Sequence, residues 1–438
     1  MCIRDRSLSG QVQVKKGVVK VPLSVDERWD LIEKITKQTV EFGAYKHTLK
    51  DAIAELTVKP LTGIPVAIAV LYGFWSFFCD FAGTLFTDGF MVKIFDEHWL
   101  PWLQSVFPGG LGNPVYALMV DAGHLENGVL VPSDNCFEAF GVLTSGLFVP
   151  FGVVLWAVLA FYLVFAFLED IGYLPRLAVL VDTVLHKIGL HGYAIVPTFL
   201  SLGCNVPGVT ATRVLETRKQ RFLMITLLGI FIPCGAQIGI MQDLVPELMG
   251  WIFLTLAIGY LGFGYILNKI VPGESPEIIM DVPPYRMPTL KNIGRKLWIR
   301  TSRFLLVAVP FVLLGCLIVG LMYLTGAMDW LASVLGPLLI VWFGVPKETV
   351  APLIAGFLRK DLAVGVLGGL MEQGIMTHFQ VFTSVVLLCI YFPCLATFAL
   401  MLKEENWKEF LGSLASLVVM VFVYGGLIHL VGLMLGVA

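Results

Sequence analysis

The sequence predicts an all-α polytopic membrane protein with about seven to nine transmembrane or re-entrant helices, arranged as two inverted repeats. Composition is the first reason: 57% of the 438 residues are hydrophobic and 14% are charged, whereas soluble domains carry roughly 25% charged residues. The second reason is that apolar stretches of about 20 residues recur, each long enough to cross a hydrocarbon core of about 30 Å. A net charge of −2 without a basic stripe argues against a nucleic-acid partner.

The chain begins with a polar segment that precedes the apolar stretches. We expect residues 1–23 to be a leader, either foreign to the protein or cut from a longer reading frame, because they lack the features of a signal peptide. Residues 24–58 are predicted to form a cytoplasmic amphipathic helical linker, because Ser24 and Glu27 have the spacing of a capping box.

Seven apolar stretches are predicted to span the membrane. They lie near residues 61–86, 143–168, 222–241, 248–270, 303–325, 378–402 and 409–435. Two further stretches, 189–211 and 330–370, are interrupted by Gly, Pro and polar residues, and we interpret them as re-entrant or broken helices. Irregular backbone at membrane depth requires surrounding protein or water, and broken helices are where transporters place their binding sites.

Basic residues orient these spans. The loop 89–142 has one Lys against six acidic residues, whereas the segment 212–222 has four basic residues and the loop 269–303 has seven. We therefore place the two basic segments and the N-terminus in the cytoplasm, and the loop 89–142 outside.

The chain also repeats itself. The motif Gly172–Val179 is echoed by Gly356–Val364, and downstream of each an apolar helix ends in a Pro-Cys pair, Pro233-Cys234 and Pro393-Cys394. The span count enters the two copies from opposite sides of the bilayer, which predicts an inverted repeat with a substrate site at its interface.

Three cysteines at helix breaks are the main candidate metal ligands. Cys204 lies in the turn Gly203–Pro207, and Cys234 and Cys394 each follow a proline, which frees a backbone carbonyl within a helix. With Asn205 they offer sulfur and oxygen ligands that suit Fe, Zn or Cu rather than Mg2+ or Ca2+. The cysteines in uninterrupted helix are predicted to be packing residues: Cys79, Cys316 and Cys389.

Ionisable residues near the repeat motifs form a second candidate set, as relays or as structural ion pairs. The set consists of Glu169, Asp170, Arg176, Glu348 and Asp361. Each carboxylate has a nearby cation in the sequence: Arg176 for Glu169 and Asp170, Lys347 for Glu348, and Arg359 or Lys360 for Asp361. Ion pairs are therefore at least as consistent with the pattern as ion ligands.

The sequence has no phosphate loop, no nucleophile elbow and no H-E-x-x-H helix. We therefore predict a transporter rather than an enzyme, with no catalytic or cofactor-binding residue of its own.

From about residue 55 to 435 the motifs resemble the membrane domain of the ferrous iron transport protein B (FeoB) family. The motifs that carry the resemblance are Leu168–Arg176, Gly203–Pro207, Thr212-Arg213, Pro233–Ala236, Pro283–Pro288, Gly356–Asp361 and Pro393–Thr397. Two positions depart from the family pattern, because Gln237 stands where Arg is expected and Asp361 where Glu is expected.

The resemblance implies Fe2+ uptake across the bacterial inner membrane. It implies a first membrane half, 59–325, with one Gate motif at about 143–241, and a second half, 326–438, with the other. Cys204, Cys234 and Cys394 are then expected to line the iron path. The family also implies a GTPase domain, absent from this chain, through which GTP would act, and partners that include the lipid bilayer, small Feo accessory proteins and a homo-oligomer.

Two alternatives stay open from the residues themselves. One is a nucleoside or other small-metabolite transporter with the same repeats, which would need polar, acidic and amide side chains at the midplane. The other is a non-transporting membrane scaffold or redox sensor, whose cysteines would tolerate replacement by serine. Ligand softness also leaves Fe2+, Mn2+ and Zn2+ undistinguished.

Overall fold

The computed structural model of the chain separates into two compact units, Met1–Ala52 and Ile53–Ala438. It describes residues 12–13, 18–19, 34, 55–107, 113–121, 124–126, 129–131, 136, 139, 141–273, 285–358, 360–372, 374 and 376–436. In the first unit, strands β1 (Val12–Gln13) and β2 (Val18–Val19) pair antiparallel. The predicted linker helix lies almost entirely outside the described residues.

The second unit is built from helices, with one small antiparallel hairpin, β3 (His124–Glu126) and β4 (Val129–Val131). The helices are α1 Pro60–Val106, α2 Pro114–Met119, α3 Ser145–Ile171, α4 Tyr173–Lys187, α5 Ile195–Gly203, α6 Asn205–Ala211, α7 Arg218–Phe231, α8 Gly235–Leu244, α9 Pro246–Ile270, α10 Leu290–Leu324, α11 Ala327–Leu338, α12 Val350–Leu358, α13 Lys360–Glu372, α14 His378–Ile390, α15 Leu395–Glu404 and α16 Trp407–Leu435. The π-helical turn Leu339–Phe343 continues α11, and short 3-10 turns lie at Gly192–Ala194, Thr212–Val214 and Lys347–Thr349.

Six helical segments of the described chain are long and apolar enough to cross a membrane, and eight if each of two bent pairs is one span. The bent pairs are Tyr173–Lys187 with Gly192–Gly203, at 105°, and Ser333–Phe343 with Lys347–Ile354, at 117°. The second pair falls within the predicted broken stretch 330–370, whereas the first begins before the predicted stretch 189–211, which contains only its second helix. The predicted fold class is therefore confirmed.

Two predicted loops contain helix instead. α1 runs for 47 residues, Pro60–Val106, or about 70 Å at 1.5 Å per residue, which is far longer than the membrane core. Its far end enters the predicted loop 89–142, because Leu100 and Leu103 pack in one apolar cluster with Tyr116 and Phe148. The predicted loop 269–303 likewise becomes helical at Leu290, where α10 begins.

The element order shows the repeat directly, because α4–α8 and α11–α15 follow the same sequence of bends and breaks. Gly172 and Gly326 have left-handed backbone, with φ of 90° and 69°, and each precedes the first helix of its copy. Gly189 and Gly344, with φ of 78° and 68°, stand at the two bends. Glycine adopts such angles without steric cost, so these pairs set the correspondence between the copies.

This correspondence corrects the predicted register of the repeat. Gly172–Val179 begins α4, whereas Gly356–Val364 contains the end of α12 and the start of α13 and so matches the region where α5 gives way to α6. The Pro-Cys pairing is right, since Cys234 and Cys394 follow α7 and α14 at the same place. Letter similarity aligned two helix segments that differ in their position relative to the breaks.

The two copies interleave. α6 of the first copy packs against α15 of the second, and α13 of the second packs against α8 of the first. A large apolar core joins α7, α9, α14 and α16 and includes Leu227, Ile252, Val385 and Leu417. Because this core holds α7 and α14, it also positions the two Pro-Cys breaks that follow them.

Polar contacts tie the ends of α6 and α15 to their neighbours. Arg213 donates two hydrogen bonds to the Glu404 carboxylate, at 2.8 and 2.6 Å. The next residue, Glu405, is buried and accepts a hydrogen bond of 2.8 Å from Ser413, whose hydroxyl also meets that of Thr226 at 2.8 Å. Burial raises the pKa of Glu405 from 4.5 to about 7, the hydrogen bond from Ser413 opposing the rise.

We predict that Glu405 makes the protein less stable as pH rises from about 4.5 to about 7. The folded state holds the proton of Glu405 more tightly than the unfolded state does. The resulting contribution to the free energy of unfolding is fully present below the pKa of the unfolded state and is lost as pH rises through the pKa of the folded state. The loss is about 3 kcal/mol. Thermal unfolding of the purified protein at pH 5 and pH 8 measures it. Glu405→Gln should remove most of this difference, and exposed Glu247→Gln should not; equal slopes in both variants would contradict the assignment.

Candidate metal site at the helix breaks

A cavity of about 110 Å³ lies where the helix breaks of both copies meet. All four residues that the sequence singled out as metal ligands line it: Cys204, Asn205, Cys234 and Cys394. The structure thus brings together side chains that are up to 190 positions apart in the sequence. Apolar residues of α3 and α10 complete the lining: Val154, Ala157, Val158, Leu305, Val309 and Val312.

Each of the three cysteines is the residue immediately before a half-helix. Cys204 precedes α6, Cys234 precedes α8 and Cys394 precedes α15, and all three have extended backbone. None of their side chains accepts a capping hydrogen bond from its helix. The Cys394 thiol lies 3.2 Å from the hydroxyl of Thr397. Each cysteine directly follows a glycine or a proline at the point where the preceding apolar helix ends.

Asn205 offers an oxygen to the cavity. Its amide nitrogen donates to the carbonyl oxygen of Ile232 at 3.2 Å, which ties the break before α6 to the end of α7. Its carbonyl oxygen Oδ1 is buried and has no hydrogen-bond partner among the described residues. A buried acceptor without a donor is unusual, and such an oxygen is a suitable ligand for a cation.

Glycines bring the breaks of the first copy close together. A Cβ atom at Gly235 would lie 3.1 Å from the carbonyl oxygen of Gly203 and 3.2 Å from that of Leu202. At Gly203 it would lie 2.5 Å from the ring of Phe161. A larger residue at 235 would therefore press on the break at Cys204, and a larger residue at 203 would displace the ring of Phe161.

Lys360 also lines the cavity, and the sequence analysis considered it only as a partner for Asp361. Its side chain is 3% exposed, and Nζ donates to the carbonyl oxygen of Cys389 at 2.9 Å. The signal in the sequence was positional: Lys360 lies at the start of α13, as Asn205 lies at the start of α6. This similarity becomes visible only with the corrected register of the repeat.

The cysteines do not form one closed coordination cage. No group of three or more His, Cys, Asp or Glu close enough to hold one ion occurs within the described part of the chain. The four predicted ligands nevertheless share the one cavity.

The predicted packing cysteines differ from one another. Cys316 is buried, and its nearest recorded polar neighbour is the hydroxyl of Ser145 at 3.8 Å, as expected for packing. Cys389 is also buried, but its thiol accepts a hydrogen bond of 3.2 Å from the Gln237 amide. Cys389 therefore belongs to a polar cluster beside the cavity. The side chain of Cys79 lies outside the described residues.

The sequence analysis assigned the wrong cation to Glu169 and Asp170. Lys296 on α10 contacts both carboxylates, at 3.1 and 2.5 Å, and Arg300 contacts Glu169 at 2.9 Å. Arg176 instead donates to the carbonyl oxygen of Gly172. The turn at Gly172 directs α4 away from the end of α3, and α10, which packs along α3, supplies the cations.

Arg176 is almost fully buried, and its guanidinium carbon lies 3.7 Å from the centre of the Tyr285 ring. Glu348 is exposed beside Lys347, and the described residues show no ion pair between them, contrary to the expectation. Arg359 and the side chain of Asp361 lie outside the described residues. None of the four ionisable candidates with described side chains lines the cavity.

Comparison with known families agrees with this architecture. The Gate family, described as nucleoside recognition, matches twice, at residues 138–246 and 305–408, and so falls on both copies of the repeat. The family described as the C terminus of ferrous iron transport protein B matches residues 248–300, which connect the copies.

Curated relatives cover most of the chain. It is 25% identical to the Fe(2+) transporter FeoB of Methanocaldococcus jannaschii, over 97% of this chain and 65% of that protein. It is 24% identical to the Staphylococcus aureus transporter of the same name, over 92% and 62%. An Fe(2+) transport protein A/Fe(2+) transporter FeoB fusion protein of Porphyromonas gingivalis is 26% identical, over 67% and 33%. The chain thus spans less than two thirds of the length of these relatives, and no solved structure matches it.

We predict that a small thiol reagent will modify the cysteines of the cavity in preference to those of the core. Cys204, Cys234 and Cys394 are partly exposed in the structure, whereas Cys316 and Cys389 are buried. Mass spectrometry of the folded protein after brief treatment with a methanethiosulfonate reports each site separately. Labelling of Cys316 as fast as that of Cys394 would show that the cavity gives the thiols no special access.

Proposed function

Because the chain belongs to the ferrous iron transport protein B family, we propose that it is the permease through which Fe2+ crosses the bacterial inner membrane. One observation carries this proposal: a single cavity collects Cys204, Cys234, Cys394 and Asn205 from the helix breaks of both repeats. The multi-pass membrane architecture agrees with it.

The chemistry of these groups suits Fe2+. Thiol sulfur and amide oxygen together favour borderline-soft transition metals over Mg2+ and Ca2+. The apolar wall of α3 and α10 offers an ion no hydrogen bonds, so an ion that enters must exchange part of its water for the sulfur and oxygen atoms at the breaks. The ion would pass from one of these atoms to the next on its way through the cavity.

Direction and energy are part of the same proposal. We place the N-terminus and both basic segments in the cytoplasm, so that Fe2+ moves inward through the cavity. Energy would come from a GTPase domain that is not part of these 438 residues. A small Feo accessory protein is a further proposed partner, supported by the relative whose name joins Fe(2+) transport protein A to FeoB. The membrane domain would then be one component of a larger transport system.

A nucleoside carrier is the second candidate, because the Gate family is described as nucleoside recognition. Sites for organic ligands of that kind usually have about 300–1,000 Å³, whereas this cavity has about 110 Å³. Its polar groups are mainly thiols, with one amide and one ammonium. The cavity therefore favours a small ion. A scaffold or redox sensor would be supported only if all three cysteines tolerated serine.

We predict that Cys204→Ser or Cys394→Ser lowers Fe2+ transport about tenfold or more, because loss of a soft ligand weakens metal binding. The purified chain is reconstituted in liposomes that contain an Fe2+-quenched dye, and Fe2+ is added outside under reducing conditions. An imposed concentration gradient makes the assay independent of any nucleotide. Competition by Mn2+ and Zn2+ measures selectivity.

The matched control is Cys316→Ser, a buried cysteine that does not line the cavity. It should transport like the unmodified protein. Equal rates for all three serine variants would remove the cysteines from the path. Uptake of a labelled nucleoside, with no uptake of any metal ion, would favour the second candidate instead.

A further inference from the structure

The cavity proposed for Fe2+ already contains a positive charge of the protein. Lys360 lies at the start of α13, is 3% exposed and lines the same cavity as the three cysteines. Buried lysines are rare because removal of an ammonium group from water is costly unless it is paired. A lysine at this place therefore requires an explanation.

The described residues give Lys360 little compensation. Its Nζ atom has three hydrogens to donate, and one recorded bond, to the carbonyl oxygen of Cys389 at 2.9 Å. The ion pairs among the described residues do not include Lys360, so no described carboxylate lies within 4.0 Å of its Nζ atom. A single neutral acceptor is a weak partner for a buried ammonium.

The first copy makes a comparable contact without a charge. Asn205, at the start of α6, donates to the carbonyl oxygen of Ile232, just after α7, and Lys360, at the start of α13, donates to the carbonyl oxygen of Cys389, near the end of α14. The acceptors differ in position, since Ile232 directly precedes Pro233 and Cys389 lies four residues before Pro393. A neutral amide is sufficient for a hydrogen bond of this kind, so the positive charge of Lys360 is additional to it.

The surroundings contain acceptors without donors. Oδ1 of Asn205, on the cavity, and Oε1 of Gln237 are both buried and have no hydrogen-bond partner among the described residues. Gln237 is fully buried and its amide nitrogen meets the thiol of Cys389, the residue whose carbonyl oxygen receives Lys360. These oxygens, with the cavity thiols, form an environment that is suited to a cation.

We propose that Lys360 is a tethered cation that occupies the cation position of the cavity in the metal-free protein and must be displaced when a metal ion binds. This inference rests on the proposed transport of Fe2+. While no metal is present, the ammonium supplies one positive charge beside the thiols and oxygens of the lining. A monovalent ion gains too little from sulfur to displace it, whereas a thiophilic divalent ion gains enough. Lys360 then determines both the affinity of the site and its selectivity by charge.

Lys360 would also make weak binding a built-in property. Each bound ion must repel or move a charge that remains attached to the protein, and the same charge returns to the cavity when the ion leaves. Oε1 of Gln237, beside Cys389, is an acceptor to which the displaced ammonium can turn. An ion path benefits from this, because conduction requires that the ion also leave the site.

Metal binding to variants of the complete chain tests the proposal. The purified protein is titrated anaerobically with Co2+, whose thiolate complexes absorb in the near ultraviolet. Lys360→Met removes the charge and keeps the apolar stem. Lys360→Gln also removes the charge and keeps a donor for Cys389, as Asn205 does for Ile232. Lys360→Arg keeps the charge. Lys408→Met removes an exposed lysine at the start of α16 and is the matched control.

We expect Lys360→Met and Lys360→Gln to bind Co2+ at least about tenfold more tightly, since like charges in a medium of low dielectric repel strongly. Lys360→Arg and Lys408→Met should differ from the unmodified protein by less than about threefold. Tighter binding is the decisive result. If Lys360 had only a structural role, its replacement would weaken the affinity for Co2+ or leave it unchanged. Unchanged or weaker binding in both neutral variants would overturn the proposal, and thermal unfolding verifies that at least Lys360→Gln is folded.

The serine variants separate this inference from the proposed function. If Co2+ binding is lost in Cys204→Ser and Cys394→Ser but is unaffected by neutral residues at 360, the metal site stands and the role of Lys360 is wrong. If neither the unmodified protein nor the neutral Lys360 variants bind Co2+, both proposals are wrong. In liposomes, the neutral variants should also admit more Na+ or K+ than the unmodified protein, and an unchanged monovalent leak would contradict the selectivity assigned to Lys360.

Discussion

A lipid bilayer offers no hydrogen bonds, and this constraint determines how the breaks in the helices of this protein are arranged. The break before α6 is tied by Asn205 to the carbonyl oxygen of Ile232, at the end of α7. The break before α13 is tied by Lys360 to the carbonyl oxygen of Cys389, near the end of α14. Within each copy, a side chain next to one helix break thus donates a hydrogen bond to a backbone carbonyl oxygen next to another break. The breaks must therefore lie next to each other, and the interleaved packing of α6 on α15 and of α13 on α8 brings the two copies together.

The same constraint explains the composition of the cavity lining. Polar atoms at membrane depth are tolerated where the breaks meet, so the thiols, the amide and the ammonium of the lining come from residues at or next to breaks. The residues that α3 and α10 contribute to the lining are apolar. Glycine at 235 allows the close approach of the two breaks, because a Cβ atom there would lie 3.1 Å from the carbonyl oxygen of Gly203. The two copies contribute different charges to the lining, because Asn205 of the first copy is neutral and Lys360 of the second is a cation.

The parts of the fold that follow from membrane depth could be predicted from the sequence. Apolar length located most spans, and Gly, Pro and polar interruptions located the two bent pairs, because a bilayer imposes one simple rule on each segment. The extension of α1 beyond the membrane could not be predicted in this way. Outside the bilayer, helix continues where tertiary packing supports it, as Leu100 and Leu103 show in the cluster with Tyr116. The register of the repeat was misjudged for a related reason, since left-handed glycines rather than similar letters mark equivalent positions.

The sequence by itself determined the membrane class, the existence of two related halves and the four polar residues at the breaks. Each of these can be recognised from a short stretch of sequence, because a polar break in an apolar helix is tolerated at membrane depth only where protein or water surrounds it. Only the tertiary structure decided that Lys296 and Arg300, more than 120 positions away, are the partners of Glu169. It also decided that Lys360 shares the cavity, while the described members of the predicted ionisable set do not line it. Contacts between distant helices such as α3 and α10 leave no periodic trace in the chain, since they depend on how whole helices pack.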